Sequence, residues 1–400
     1  MDEDRNHDRD PRRPPADAEP DRNGDPAADG DTGRRADGSG EVPPPSALRL
    51  RAGVRGATGR ALPEGGDAGP RRRQLGLRDY VEGVLAGDRG ILARAITLVE
   101  SNAAAHFEQA QELVQALLPH RRPALRVGIT GVPGAGKSTF IETLGTRLTG
   151  AGHRVAVTAV DPSSSVSGGS LLGDKTRMER LSVDPGAFIR PSPSGGTLGG
   201  VTRKTRETIL LFETAGYDVV LVETVGVGQS ESQVRGMVDF FLLLLIAGAG
   251  DELQGLKKGV IELADAVVIN KADGPGRPAA EFTRAEYERA LHYLRPASED
   301  WITRALTCSA VTGEGIDVVW EMVEEFAARG RRTGALERRR REQERAWVHD
   351  LVREQLEDAF HSHPGVQSLL PELERRVTGG ETTPVAAARR LLAVFRGEAE

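Results

Sequence analysis

Between Leu125 and Ala310 the chain repeats one texture, in which short apolar segments alternate with stretches of helical spacing. The segments are LRVGIT, RVAVTAV, DVVLVET, FFLLLLIAG, DAVVINK and ITRALTCSA. This alternation predicts an α/β fold with an open, mostly parallel sheet. A parallel connection must cross back over a sheet face, and a helix fills that path. The run from Phe240 to Ala249 tests the idea. A helical bilayer span needs about twenty apolar residues, and this run supplies about half of that. Closed by Gly248 and Gly250, it fits a strand buried on both faces, with the charged loop Asp251 to Lys258 at its tip.

The flanks read differently. YVEGVLAGDRGILARAITLVES and HFEQAQELVQALLPH have helical spacing, so residues 77–123 are expected to be a helical lead-in. Ile91, Leu92, Ala95, Ile96 and Val99 share one face, as do Phe107, Ala110, Val114, Leu117 and Leu118, and Pro119 and Pro123 end the block. The sheet-forming texture occupies residues 124–330, and helices return over 331–400. There Trp347, Val348, Leu351, Val352 and Ala359 form a stripe, Gly379 and Gly380 can close one helix, and Thr383 can cap the next with Pro384 at its first position. Residues 1–76 are rich in Pro, Gly, Asp and Arg; they cannot bury enough apolar surface to offset their ordering entropy, which predicts a disordered tail.

Composition excludes several classes. Hydrophobic residues make up 38% and charged residues 28%, ordinary values for a soluble globular protein. A net charge of −6 is no footprint for a nucleic-acid binder. The single cysteine, Cys308, excludes an internal disulfide and a Cys-rich metal site, and reads as a small buried residue. The opening MDEDRNHDRD has no apolar core for a signal peptide, so a cytoplasmic location without membrane attachment is expected.

GVPGAGKST, Gly131 to Thr139, follows the strand LRVGIT and opens a helical stretch. The G-x-x-x-x-G-K-S spacing in that context is a P-loop. Gly131, Pro133, Gly134, Ala135, Gly136 and Thr139 are then a loop wrapped around phosphates; Lys137 reaches the β- and γ-phosphates and the Ser138 hydroxyl can ligate Mg²⁺. NKAD, Asn270 to Asp273, ends the strand DAVVI. A carboxylate at Asp273 can accept from N1–H and the exocyclic amine of guanine, whereas adenine presents a bare N1. Lys271 would cover the ring and Asn270 brace the loop. CSA follows the next strand, with Ser309 and Ala310 where GTPases place a base-contacting backbone N–H. Three motifs in this order indicate guanine nucleotides, GTP as substrate and GDP as product.

Acids gather on the same strand ends. Glu223 of ETVGVGQSES stands where it can hold Mg²⁺ or one of its waters, and Gly226 where its N–H can meet the γ-phosphate. Gln229 is either a water-orienting amide or an ordinary loop residue. In VDPSSSVSGGSLLGDKTRM, Asp161 reads as part of the metal shell ahead of a turn residue, and for Asp174 the two readings balance. His361 and His363 lack partners at metal spacing, and the runs RRRQ and ERRRRE read as solvated arginines.

Together GVPGAGKST, VDPSS, GGSLLGDKTRM, FIRPSPSGGTLGG, ETVGVGQSE, GDELQGLKKG, NKAD and CSAVTGEG resemble the GTPase family associated with methylmalonyl-CoA mutase, the MeaB group. An older description of that group is amino-acid transport kinase. The resemblance runs from about Leu77 to Phe395. Ser165 and Val166 depart from the Thr and Arg frequent there. It implies a P-loop GTPase domain with helical extensions, the C-terminal one carrying a homodimer contact. It implies a chaperone that gates loading of adenosylcobalamin into an acyl-CoA mutase, with a cobalamin adenosyltransferase as a further partner. It also implies that Lys137, Glu223 and Asp174 are catalytic, that Ser138, Asp161, Asp174 and Glu223 surround Mg²⁺, and that Asp251 to Lys257 is a switch loop signalling to the mutase. A nickel-delivering metallochaperone GTPase, a small-molecule or protein kinase and a purely regulatory binding module are the competing readings. The first lacks Cys/His ligands, the second fits NKAD poorly, and the third is open because slow intrinsic hydrolysis is normal when a partner completes the site.

Overall fold

The computed structural model describes residues 75–160, 178–191, 198–224, 231–248 and 258–398. Nearly all of the expected tail lies outside these residues, as do Asp161, Asp174, Gly226, Gln229, Asp251 and Lys257. The lead-in forms α1 (Leu77–Leu85), α2 (Arg89–Glu100) and α3 (Ala104–Leu117). The first periodic segment is thus two helices. Asp88 starts the second, its carboxylate accepting from the N–H groups of Gly90 and Ile91. On α3 the buried face is Ala110, Leu113 and Leu117, while Phe107 and Leu118 are exposed. Phe107 lies instead beneath the Arg203 guanidinium, 5.4 Å from the ring centroid, a contact that keeps a ring half-wet.

Strands and helices then alternate. β1 (Leu125–Gly131) leads to α4 (Lys137–Gly150) and β2 (Val155–Val160); α5 (Glu179–Val183) and β3 (Ala187–Arg190) follow. Next come α6 (Leu198–Thr214), β4 (Val219–Thr224), α7 (Glu231–Arg235), β5 (Phe240–Ile246), α8 (Lys258–Leu263), β6 (Ala266–Asn270), α9 (Arg277–Leu291) and β7 (Arg304–Thr307). The chain closes with α10 (Ile316–Thr333), α11 (Ala335–Ser362), α12 (Pro364–Thr378) and α13 (Pro384–Phe395).

The strands form a seven-stranded sheet in the order β3-β2-β4-β1-β5-β6-β7, with every pair parallel. The α/β reading therefore holds, with one addition. β3 spans four residues, too few to show a period in sequence. The run after Asp239 is a core strand: Leu242 to Leu245 are at most 1% exposed, between β1 and β6. Alternation sorts the two faces. Val219 and Leu221 belong to the core cluster that holds Phe140, Ile141 and Leu144 of α4 and Val319 of α10. Val220 and Val222 belong to the cluster of the opposite layer, with Leu92, Leu113 and Phe212. No helix among the described residues is long and apolar enough to cross a membrane.

Two arginines of the run at the start of α11, Arg339 and Arg340, are not solvated as expected. Arg340 donates to both carboxylate oxygens of Asp239, at 2.7 and 2.5 Å, and to the Ala124 carbonyl at 2.7 Å. Arg339 bonds the Asp239 carbonyl and the Ser298 hydroxyl. Asp239 and Asp265 are fully buried immediately before β5 and β6, at the end of the sheet opposite the P-loop. The helix is thereby stapled to the body. Farther along α11 the expected stripe divides: Trp347 packs under Arg206, whose Cζ is 5.2 Å from its ring, whereas Val348 and Val352 are 57% and 51% exposed; Leu356, one turn beyond and outside the expected stripe, is 57% exposed. α12 and α13 pair around Val366, Leu373, Ala387 and Leu391. Thr383 caps α13 at Ala386 N, as its spacing predicts, and His363 accepts from Val366 N at the start of α12.

Candidate functional site

The phosphate-loop residues leave the tip of β1, the central strand, and enter α4 at Lys137. This is the switch point of the sheet, where ligands bind in open α/β folds. Gly136 has φ 86°, and a Cβ there would lie 2.7 Å from Asn270 Nδ2, so both conformation and space require glycine. Ala135 is buried, while Pro133, Gly134 and Thr139 are exposed. Lys137 is 8% exposed, and its ammonium donates to the Gly131 carbonyl at 2.9 Å and the Val132 carbonyl at 3.4 Å. The cation is thus held inside the loop that would face a phosphate chain, beside the positive end of the α4 dipole.

Glu223 approaches from β4. It is 7% exposed, sits beside Ile129 in the sheet, and accepts from Ser138 Oγ at 3.1 Å. The adjoining Thr224 and Thr130 hydroxyls are bonded at 2.8 Å, locking the two strand tips together. A serine hydroxyl and a carboxylate in contact are the hard oxygen donors that suit Mg²⁺.

The other end of the site is built around Asn270, the last residue of β6 and 2% exposed. Its Nδ2 donates to the Ala135 carbonyl at 2.7 Å, and its Oδ1 accepts from Ala310 N at 2.9 Å. One amide therefore ties the phosphate loop to the loop after β7. Lys271 has φ 60°, a left-handed conformation uncommon outside glycine, which turns the chain directly after the strand. Asp273 Oδ2 accepts from Ser309 Oγ at 2.9 Å, so the carboxylate is oriented by the CSA segment. Cys308 donates weakly to Asn270 Oδ1 at 3.6 Å; burial pushes its thiol up to about 12, which makes it a packing residue and not a nucleophile.

The structure thus gathers Lys137, Ser138 and Glu223 at one end and Asn270, Lys271, Asp273, Ser309 and Ala310 at the other. Asp161, Asp174, Gly226, Asp251 and Lys257 lie outside the described residues. Sequence reasoning missed three side chains of α4. Glu142, 8% exposed, accepts from the backbone N–H groups of Arg180 at 2.8 Å and Leu181 at 3.2 Å, anchoring α5. Thr143 and Arg147 bond the loop after β7. Their spacing by one helical turn was visible in sequence; their partners, 167 and 166 residues away, were not.

Residues 92–365 match the family model described as methylmalonyl Co-A mutase-associated GTPase MeaB. A Caulobacter vibrioides protein described as a GTPase is 58% identical over 313 residues, covering 78% of this chain and 95% of the relative. The mouse protein named methylmalonic aciduria type A homolog, mitochondrial, is 49% identical over 324 residues, covering 78% of each. A crystal structure titled LAO/AO transport system kinase superposes with a TM-score of 0.67 at 37% identity, covering 81% of this chain and all of that one.

Proposed function

Because the chain belongs to the methylmalonyl-CoA mutase-associated GTPase family, the MeaB group, we propose that its GTP hydrolysis gates the loading and protection of an adenosylcobalamin-dependent acyl-CoA mutase. Hydrolysis itself, GTP to GDP and phosphate, is the activity that the descriptions of the family and of the Caulobacter vibrioides relative name. The observation that carries the nucleotide reading is the Asn270 bridge, which holds a phosphate loop and a base-reading carboxylate in one rigid unit.

In this reading Gly131, Pro133, Gly134, Ala135 and Gly136, with Ser138 and Thr139 at the start of α4, wrap the phosphates. Lys137 exchanges its bonds to the Gly131 and Val132 carbonyls for phosphate oxygens and balances charge that develops on the γ-phosphate. Ser138 and Glu223, with Asp161 and Asp174 as further oxygens, would hold Mg²⁺. The ion would neutralise phosphate charge during transfer. Gly226 contributes a backbone N–H to the γ-phosphate. Asp273 accepts from the guanine edge while Lys271 covers the ring. Each bond from an ionised group is worth about 1.5–3 kcal/mol, enough to reject adenine.

The proposal extends to partners. Asp251 and Lys257 form the switch that reports nucleotide state to the mutase, and a cobalamin adenosyltransferase supplies the cofactor, in the cytoplasm. A homodimer is supported by the row Val348, Val352 and Leu356, each more than half exposed at one-turn spacing on α11, together with exposed Val385 on α13. The test is GTP turnover with and without a panel of adenosylcobalamin-dependent acyl-CoA mutases. The expected result is stimulation by one of them, lost in Asp251→Ala and Lys257→Ala while intrinsic turnover stays near normal. An absence of stimulation by every mutase would remove the chaperone reading and leave the GTPase.

A further inference from the structure

The loop that follows β7 is held from the side opposite Asn270 by α4, the helix that issues from the phosphate loop. Ala310 is 2% exposed, and its two backbone polar groups point to different elements. Its N–H bonds Asn270 Oδ1 at 2.9 Å, and its carbonyl accepts from Thr143 Oγ1 at 2.6 Å. One helical turn farther along α4, Arg147 donates through Nη2 to the Gly313 carbonyl at 2.9 Å and through Nη1 to the Asp317 carboxylate at the start of α10. The fit at Gly313 is close. Its φ is 81°, and a Cβ there would stand 2.4 Å from Arg147 Nη2. Inside the loop, Ser309 ties the backbone to the base-reading residue: its hydroxyl donates to Asp273 and accepts from Thr312 N at 3.2 Å.

We propose that Thr143 and Arg147 are positioning residues for guanine: by clamping the 308–315 loop onto the phosphate helix, they set where the Asp273 carboxylate meets the base relative to where Lys137 meets the phosphates. The proposal rests on the assignment of Asn270 and Asp273 as the base site. Its physical content is a chain of contacts. The Thr143 hydroxyl fixes the Ala310 carbonyl; the adjoining Ser309 hydroxyl fixes Asp273. Without the hydroxyl, a buried carbonyl is left seeking another partner, and the peptide that carries Ser309 shifts with it. Thr143 touches neither the phosphate loop nor Glu223 in any contact described above, so the loss falls on the base and spares the chemistry. The geometry also sets a hierarchy. Thr143 is the inner clamp, whereas Arg147 and Asp317 have side chains 37% and 71% exposed, so their pair is weakened by solvent.

The experiment is steady-state turnover of GTP and of inosine triphosphate, which lacks the exocyclic amine read by Asp273. Thr143→Val, Thr143→Ser, Arg147→Met and Asp273→Asn are compared with the unmutated protein, with a thermal melt of each. Thr143→Val is expected to raise the KM for GTP about tenfold with kcat within about twofold. It should also shrink the preference for GTP over inosine triphosphate several-fold. Thr143→Ser keeps the hydroxyl and should restore both, and Arg147→Met should move KM in the same direction by less. A Thr143→Val protein with unchanged KM and unchanged preference, alongside an Asp273→Asn protein with raised KM, overturns the clamp alone. An unchanged KM in Asp273→Asn overturns the base-site assignment and the clamp with it. A fall in kcat at constant KM, or a Thr143→Ser protein as impaired as Thr143→Val, also overturns the proposal.

Discussion

Replacing Arg340 by methionine keeps most of the side-chain stem and removes the guanidinium that holds the Asp239 carboxylate. Asp239 is fully buried, and Arg340 meets both of its oxygens. What remains to the carboxylate is the Arg126 backbone N–H at 2.9 Å. Burial alone would lower the pKa of Arg340, yet the Asp239 carboxylate, together with the charges of Glu213 and Glu337, outweighs it and the net direction is upward. Removing one partner of a buried ion pair costs about 3–5 kcal/mol, because the other charge is left without compensation. The Ala124 carbonyl also loses its donor, which adds about 1 kcal/mol. The retained Arg126 bond pulls the other way, so the expected loss stays near 3–5 kcal/mol, or a Tm lower by about 6–20 °C at roughly 2–4 °C per kcal/mol. Arg353→Met is the control. Its partner Asp350 lies at 3.1 Å, but the two side chains are 67% and 62% exposed, so the loss should stay below about 0.5 kcal/mol. Calorimetry and urea unfolding measure both variants, and Asp239→Asn combined with Arg340→Met should recover part of the loss, because no buried charge is then stranded. The KM for GTP should not move, since the pair lies at the far end of the sheet. If Arg340→Met costs no more than Arg353→Met, α11 is not held by this ion pair and the argument fails.

Lys137→Ala should abolish GTP turnover, and Glu223→Ala should lose Mg²⁺-dependent hydrolysis more than nucleotide binding; turnover unchanged in the Glu223 variant, measured across Mg²⁺ concentrations, would exclude its role. Asp273→Asn should weaken GTP by about a hundredfold or more, from about 3 kcal/mol or more of lost base contacts, and favour xanthine nucleotides, which competition binding reads directly. Burial pushes the Glu213 carboxyl from 4.5 up to about 7, against the pull of Arg121 and Arg340. A group whose folded pKa is raised binds its proton more tightly when folded; its stabilisation is complete below the unfolded value and is lost as pH rises through about 7. Relative to Glu213→Gln, the unmutated protein should therefore lose stability between about pH 5 and pH 8, and parallel urea-unfolding curves would contradict the raised pKa.

What the sequence determined by itself was local. The P-loop, the NKAD turn and the strand that carries Glu223 at its tip could be read because each is a short pattern, set by the backbone conformation and donor chemistry its few residues allow. The buried strand after Asp239 could be read from its length and apolar content, and the Thr383–Pro384 helix start from capping chemistry. Only the tertiary structure decided which distant groups met. The same run of arginines holds Arg340, inserted against a buried acid 101 residues away, and Arg338, paired on the surface with Glu299. Their composition and helical spacing are alike, so no local rule separates them. The stripe on α11 divided for a similar reason: Trp347 found a neighbour in Arg206, whereas Val348 and Val352 stayed exposed. Thr143 looked like any polar residue on a helix until a carbonyl 167 residues later fell within 2.6 Å of its hydroxyl. Periodicity tells which residues of one element share a face. Which face meets which partner is settled by the packing of whole layers, where a one-turn difference in position exchanges burial for solvent.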